Sequence, residues 1–197
     1  MYIFLKLIFD KILSLTLILI FIPIFFFLIF INFTLNGSPI FFIQERSGMN
    51  KKKIYLIKLR TIKHDCKDIN KINYTRFGKF FRRSGLDEIF QLFNILKGDI
   101  SFVGPRPLYT KYDSLYNQDQ SLRLTVKPGL TGLAQIHQKN TTTWEEKINY
   151  DLLYLEKKSF IFDLKIFFKT FLILFYRLFD KEFITVSEEF TGKKIED

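Results

Sequence analysis

Hydrophobic positions are spread unevenly along this chain. Residues 12–31, ILSLTLILIFIPIFFFLIFI, carry no charged side chain. As a helix that run rises about 30 Å, the hydrocarbon thickness of a bilayer. It is too long for the apolar stretch of a secretory signal, and no small-x-small cleavage site follows it. Pro23 stands near its middle. The proline removes one backbone donor and its ring presses on the carbonyl of Leu19, so a kink is expected there. Two topologies fit: a kinked span, or a re-entrant hairpin that returns to the face it entered. A span puts only the cation-rich flank at residues 51–60 on the cytoplasmic side. A hairpin also puts Lys6 and Lys11 there.

Past a turn at Asn36-Gly37-Ser38-Pro39, the pattern predicts two strands, residues 40–48 and 53–62. GMNK between them makes a hairpin. Residues 63–75 are polar and read as a loop. From Arg76 the apolar positions take helical spacing (Phe77, Phe80, Phe81, Leu86, Ile89, Phe90, Leu92, Phe93), with Gly85 as an interruption and Gly98 as the stop. ISFVGPRPL is a buried run turning into a proline-fixed loop. Residues 109–126 read as helical, KPGLTGLAQI as loop plus strand, and residues 144–158 as a helix begun near Thr142 or Thr143. Residues 161–179 are apolar but include Asp163, Lys165, Lys169 and Arg177. Crossing a bilayer would bury Lys165 and Lys169 at about 2.5–3.5 kcal/mol each. A helix lying in the interface avoids that cost. The tail from Ser187 is polar.

Composition adds a formal charge of +10, from 30 basic and 20 acidic residues. That suits nucleic acid, phosphorylated substrates or an anionic membrane face. Of the cations 22 are Lys, in a chain with 25 Phe. This skew fits biased coding DNA, so the arginines are the more informative cations. Cys66 is the one cysteine and His64 and His137 the two histidines. An internal disulfide and a Cys-based metal site are thereby excluded, and a multi-His zinc site and a Ser-His-Asp triad are disfavoured.

The candidate chemistry lies in SGLDEIFQLFNILKGDISFVGPRP. Adjacent carboxylates on a helix point about 100° apart, but near a helix end both can reach one small ligand. One of Asp87 and Glu88 could then attack phosphorus while the other holds Mg2+, a hard cation that prefers oxygen. Alone, the pair reads more readily as a solvated helix face. Arg106 is more informative. Pro105 and Pro107 limit its backbone, so its guanidinium is placed. Arg82 and Arg83 precede the acids. Gln44, Arg46 and Gly48 alternate on one strand face, Arg60 follows on the next strand, and Lys127 repeats the cation-beside-turn pattern. A membrane-anchored module that merely binds anionic polymer or lipid is the alternative from these features.

FFIQERSG, IKLRT, RRSGLDEIFQLFNILKGDISFVGPRP, VKPGLTGLAQI and YDLLYLEKKSFIFDLKIFFKT occur in that order. Together they resemble the bacterial sugar transferases, the monotopic polyprenyl-phosphate phosphoglycosyl transferases, over nearly the whole chain. The length is that of the family's small members. The resemblance implies a mainly α fold with a small β-hairpin or sheet. Residues 1–36 would form a re-entrant membrane helix. Residues 37–186 would form a cytosolic α/β globular catalytic domain with interfacial amphipathic helices, among them 161–179, and residues 187–197 a tail.

It further implies transfer of sugar-1-phosphate from a UDP-sugar to undecaprenyl phosphate at the cytoplasmic face of the bacterial inner membrane. Asp87 would form a covalent phosphosugar intermediate and release UMP. Glu88 would be associated with essential Mg2+, and Arg82 and Arg106 would lie near the donor phosphates. Arg46, Arg60, Lys127 and Lys139 complete the candidate substrate-binding set. Membrane lipids are expected partners, nucleic acid is not, and a homodimer is left open. Four positions depart from the family pattern: Ile22, Ile62, Phe90 where relatives often have Pro, and His137 to Asn140, which puts Lys139 at an Arg position. Lys cannot replace Arg in bidentate contacts.

Overall fold

The structure is a computed structural model that describes residues 1–62, 76–138, 141–179 and 190–192. Its first element, α1 (Tyr2–Asn36), is a 35-residue helix with Pro23 inside it, about 50 Å of helix in all. One stripe of α1 is buried: Asp10, Ser14, Ile18, Phe25, Leu28 and Asn32. Their spacing keeps them on one side of the helix. The other side leaves Ile12, Leu19, Phe26, Phe27 and Phe30 exposed. Among the described residues, α1 alone is long and apolar enough to cross a membrane.

Both ends of α1 are fastened to the same globular body. Near its start, the Tyr2 hydroxyl donates to Asp163 at 2.7 Å. The Lys6 ammonium donates to the Val103 carbonyl at 2.8 Å and pairs with Asp163. Ser101 donates to Asp10 at 2.7 Å. Near its end, Asn32 donates to the Arg60 carbonyl at 3.0 Å, and Asn36 donates to the same carbonyl at 3.2 Å. These polar side chains sit where an apolar helix meets the domain, and each finds its partner there.

The hairpin forms as the alternation predicts. Strand β1 (Phe41–Ser47) pairs antiparallel with β2 (Lys53–Leu59), from Phe41 opposite Leu59 to Ser47 opposite Lys53. The run after Arg76 is not one helix. It divides into α2 (Arg76–Ser84), a 3-10 turn (Leu86–Glu88) and α3 (Gln91–Lys97). The cause is Gly85, whose φ of 72° is left-handed and cannot continue a right-handed helix. Apolar spacing persists across the break because all three pieces face one core.

Strand β3 (Ser101–Val103) pairs parallel with β4 (Gly129–Thr131). The two backbones approach closely: a Cβ at Gly129 would overlap the Gly104 nitrogen, and one at Gly132 the Gly104 carbonyl oxygen. Gly129 N–H donates to the Pro105 carbonyl at 2.9 Å, which ties down the loop that carries Arg106. Residues 109–126 are less regular than expected, holding a 3-10 turn (Thr110–Tyr112), the four-residue α4 (Gln118–Ser121) and a second 3-10 turn (Leu122–Thr125). Asn117 caps α4 and interrupts any longer helix. After β4 comes a short helix, α5 (Leu133–His137), where only loop and strand were expected. Helix α6 (Trp144–Lys157) starts with a capping box between Thr143 and Glu146. Helix α7 (Phe160–Phe179) completes the described helices.

The main core joins Phe25 and Leu28 of α1, Leu56 of β2, Ile95 of α3, Phe102 of β3 and Ile166 of α7. Phe90, the departure that the sequence leaves unexplained, packs against Phe25 at 4.8 Å and Phe41 at 5.0 Å between ring centroids. Its φ is −69°, the value a proline would fix. A proline would fit this backbone, and Phe90 adds a ring that joins α1, β1 and α3. Trp144 anchors a second cluster with Tyr112, Ile148 and Phe190.

Candidate active site

Asp87 and Glu88 lie in the turn between α2 and α3. Asp87 is buried, with 9% of its surface exposed. Glu88 is held by two cations: its Oε1 accepts from Lys58 Nζ at 2.5 Å and from Arg106 Nη2 at 2.9 Å. Arg82 donates through Nε to Thr61 at 3.0 Å, and its charge acts on Asp87.

Arg46 lies flat over the Tyr109 ring, 3.7 Å from its centroid. Gln44 fixes that pose. Its Oε1 accepts from Arg46 Nε at 3.0 Å while its Nε2 donates to the Tyr109 hydroxyl at 2.9 Å. Arg46 also feels the charges of Arg106 and Glu88. Lys58, Arg46, Arg82 and Arg106 thus surround two carboxylates, leaving an excess of positive charge. Such a site favours an anionic ligand.

The two carboxyls are driven apart. Burial pushes Asp87 up, the neighbouring Glu88 charge adds to this, and Lys58, Arg82 and Arg106 offset it only in part, so its pKa stands at about 7. Burial acts upward on Glu88 too, but Arg106 and Lys58 outweigh it and hold that carboxyl well below the usual range. One group is a fixed anion, and the other gains or loses a proton near neutrality. Separation of this kind gives two adjacent carboxyls different roles.

Arg106 is placed from behind. Arg123 donates to the Arg106 carbonyl at 2.7 Å and to Asp151 at 2.8 Å through one nitrogen. Both Arg123 and Asp151 are buried. The Arg106 side chain is 43% exposed, so its outer face is open to a ligand.

Two expected contributors lie elsewhere. Arg60 is buried beneath the end of α1, where its guanidinium donates to the Asn36 and Gly37 carbonyls. It caps a helix C-terminus, whose carbonyls carry partial negative charge. Lys127 has its ammonium beside Gly98, where an added Cβ would meet it at 3.4 Å. That is the C-terminal end of α3, the end away from the turn that holds the dyad. Gly48, expected to share a strand face with Gln44 and Arg46, lies beyond the end of β1 and closes the hairpin turn by donating to the Lys52 carbonyl at 2.7 Å. Lys139 lies outside the described residues. His137 stacks on Tyr150 at 4.8 Å and contributes to packing.

Lys58 was missed, though a signal existed. Ile54 and Leu56 are buried on the β2 face that Lys58 continues. A cation on an apolar strand face needs a charged partner.

For a hard divalent cation the donor set fits. No group of three or more His, Cys, Asp or Glu is clustered among the described residues, so those residues do not by themselves make a cage. Mg2+ commonly takes one or two carboxylates and completes its shell with phosphate oxygens and water. Both cations that hold Glu88 do so through Oε1, which leaves Oε2 as the oxygen to offer.

A model of the bacterial sugar transferase family matches residues 1–177, and the chain belongs to that family. It is 44% identical over 135 residues to a Bacillus subtilis protein named uncharacterized sugar transferase EpsL, covering 66% of this chain and 67% of that one. It is 43% identical over 152 residues to the UDP-glucose:undecaprenyl-phosphate glucose-1-phosphate transferase of Klebsiella pneumoniae, covering 70% of this chain and 33% of the relative. It is 30% identical over 189 residues to the undecaprenyl-phosphate galactose phosphotransferase of Salmonella typhimurium, with 85% and 40% covered. The chain thus spans well under half the length of these two relatives with named reactions.

Proposed function

We propose that this protein transfers sugar-1-phosphate from a UDP-sugar to undecaprenyl phosphate at the cytoplasmic face of the bacterial inner membrane. The observation that carries the proposal is the dyad: a buried carboxyl that ionises near neutrality, beside one fixed as an anion, within an excess of cations.

In the first step an oxygen of ionised Asp87 attacks the β-phosphorus of the donor. The bond from that phosphorus to the bridging oxygen breaks, and UMP leaves with the electron pair. In the second step a phosphate oxygen of the lipid attacks the same phosphorus. The bond to Asp87 breaks and the carboxylate is restored. Two displacements keep the two anionic substrates from having to meet directly. Arg106 and Arg82 offset phosphate charge as it shifts. Lys58 holds Glu88 in place, and the Arg46–Tyr109 stack keeps a further cation oriented. Mg2+, held through Glu88, would neutralise diphosphate charge when bound. With UDP present, the EPR spectrum of Mn2+ should broaden on binding the wild-type protein. In Glu88→Gln that broadening should be lost while the far-UV CD is unchanged.

The docking of both ends of α1 on one body supports a re-entrant rather than crossing topology, with the exposed apolar sides of α1 and α7 in the bilayer. Lys165 and Lys169 are exposed on α7, consistent with cations reaching for headgroups. A cysteine at position 3 should therefore resist a membrane-impermeant thiol reagent in intact cells and react after lysis. Reaction in intact cells would rule out this topology. The reaction itself is tested by screening UDP-sugars for UMP release. One donor should give release that depends on polyprenyl phosphate for turnover. Absence of UMP with every donor would refute the proposal.

A further inference from the structure

Helix α7 turns one side inward: Asp163, Ile166, Thr170, Leu174 and Arg177 follow at spacings of three and four. Its first part is fixed to the domain, since Asp163 takes the Tyr154 hydroxyl at 2.8 Å and Thr170 bonds Thr131 at 2.7 Å. Leu174 then packs over the turn that leads into the dyad, where a Cβ on Gly85 would lie 3.3 Å from its Cδ2. Arg177 is one helical step further on the same side. Its flanking residues Phe175, Tyr176, Leu178 and Phe179 are exposed and apolar, while its own Nε is shut off from solvent. Among the described residues, the charges of Arg106 and Glu88 act on Arg177. A cation from the apolar surface therefore stands one helical step beyond the contact with the catalytic turn, within reach of the charges of Arg106 and Glu88.

We propose that Arg177 is the protein's contact for the phosphate monoester of the lipid acceptor. The inference rests on the reaction proposed above and assigns its two anions to two different arginines. The soluble donor meets Arg106, on a loop open to water. The lipid phosphate arrives along the apolar surface and meets Arg177, on the helix that belongs to that surface. A guanidinium matches a phosphate monoester with paired donors and stays charged in an apolar setting. Lys165 and Lys169, on the outer side of α7, cannot serve, because they point away from the dyad.

The test separates the two half-reactions in full-length protein in bicelles. UMP released without acceptor reports the donor step. Steady-state turnover with varied polyprenyl phosphate reports the acceptor step. Arg177→Gln should keep the wild-type UMP burst and raise the acceptor KM about tenfold or more, and Arg177→Lys should recover part of the loss. An unchanged acceptor KM, or a burst that falls in parallel, would overturn the assignment. So would a defect seen in anionic bicelles and absent from neutral ones, which would mean a bulk headgroup contact. A wild-type protein with no burst would instead sink the covalent reaction, and this contact with it.

Discussion

Asp87→Asn is expected to lower UMP release on the order of 10⁴-fold, the scale seen when a nucleophile is removed from an otherwise intact site. The same variant is expected to be more stable than wild type. Folded Asp87 has a pKa of about 7, raised first of all by burial, against about 4 for an unfolded aspartate. Between those values the folded state binds more protons, so stability is full below pH 4 and is lost as pH rises through 7. Asparagine remains neutral throughout. Its Tm should exceed that of wild type by several degrees at pH 8, with the gain shrinking toward pH 4. The wild-type donor step should follow the opposite course. Its rate falls about tenfold per pH unit below 7, as the nucleophile is protonated, and levels off above. A variant that lost activity and stability together would mean that Asp87 is structural.

The second large effect concerns the pair behind the site. Arg123→Leu leaves Asp151 buried without its partner. Breaking such a pair costs about 3–5 kcal/mol, which lowers Tm by roughly 10 °C at this chain length. The Arg106 carbonyl also loses its donor, so surviving folded protein should release UMP at least about tenfold more slowly. Arg123→Leu combined with Asp151→Leu separates the two roles. Replacing both members of a buried pair with apolar residues is often close to neutral. The double variant should recover most of the Tm and little of the activity. Recovery of both would show that Arg123 acts only through stability.

Local features were legible in the sequence. Alternation located the hairpin, and Thr142 or Thr143 marked the start of α6. The two prolines around Arg106 pointed to a constrained loop, and its Pro105 carbonyl is indeed tied to Gly129. Other features depend on closure through space. Lys58 reaches Glu88 across 30 positions, and Lys6 reaches Asp163 across 157. No window of the chain contains either pair. Arg60 was misplaced for a related reason: a cation on a strand next to the site looks like a ligand contact until the end of α1 takes it. Arg177 was read only as a charge in an apolar helix, because its inward direction follows from how α7 packs on Gly85. Gly85 was seen as an interruption, but its left-handed backbone, which sets the dyad in a turn of its own, belongs to the folded chain.

The most direct test of the central claim is to trap the enzyme with a UDP-sugar labelled at the β-phosphate and no acceptor. The label should become protein-bound in wild type and be released by hydroxylamine, as an acyl phosphate is. It should pass to lipid when polyprenyl phosphate is added, and be absent from Asp87→Asn. Lipid product formed with no labelled protein, or label retained by Asp87→Asn, would contradict the account.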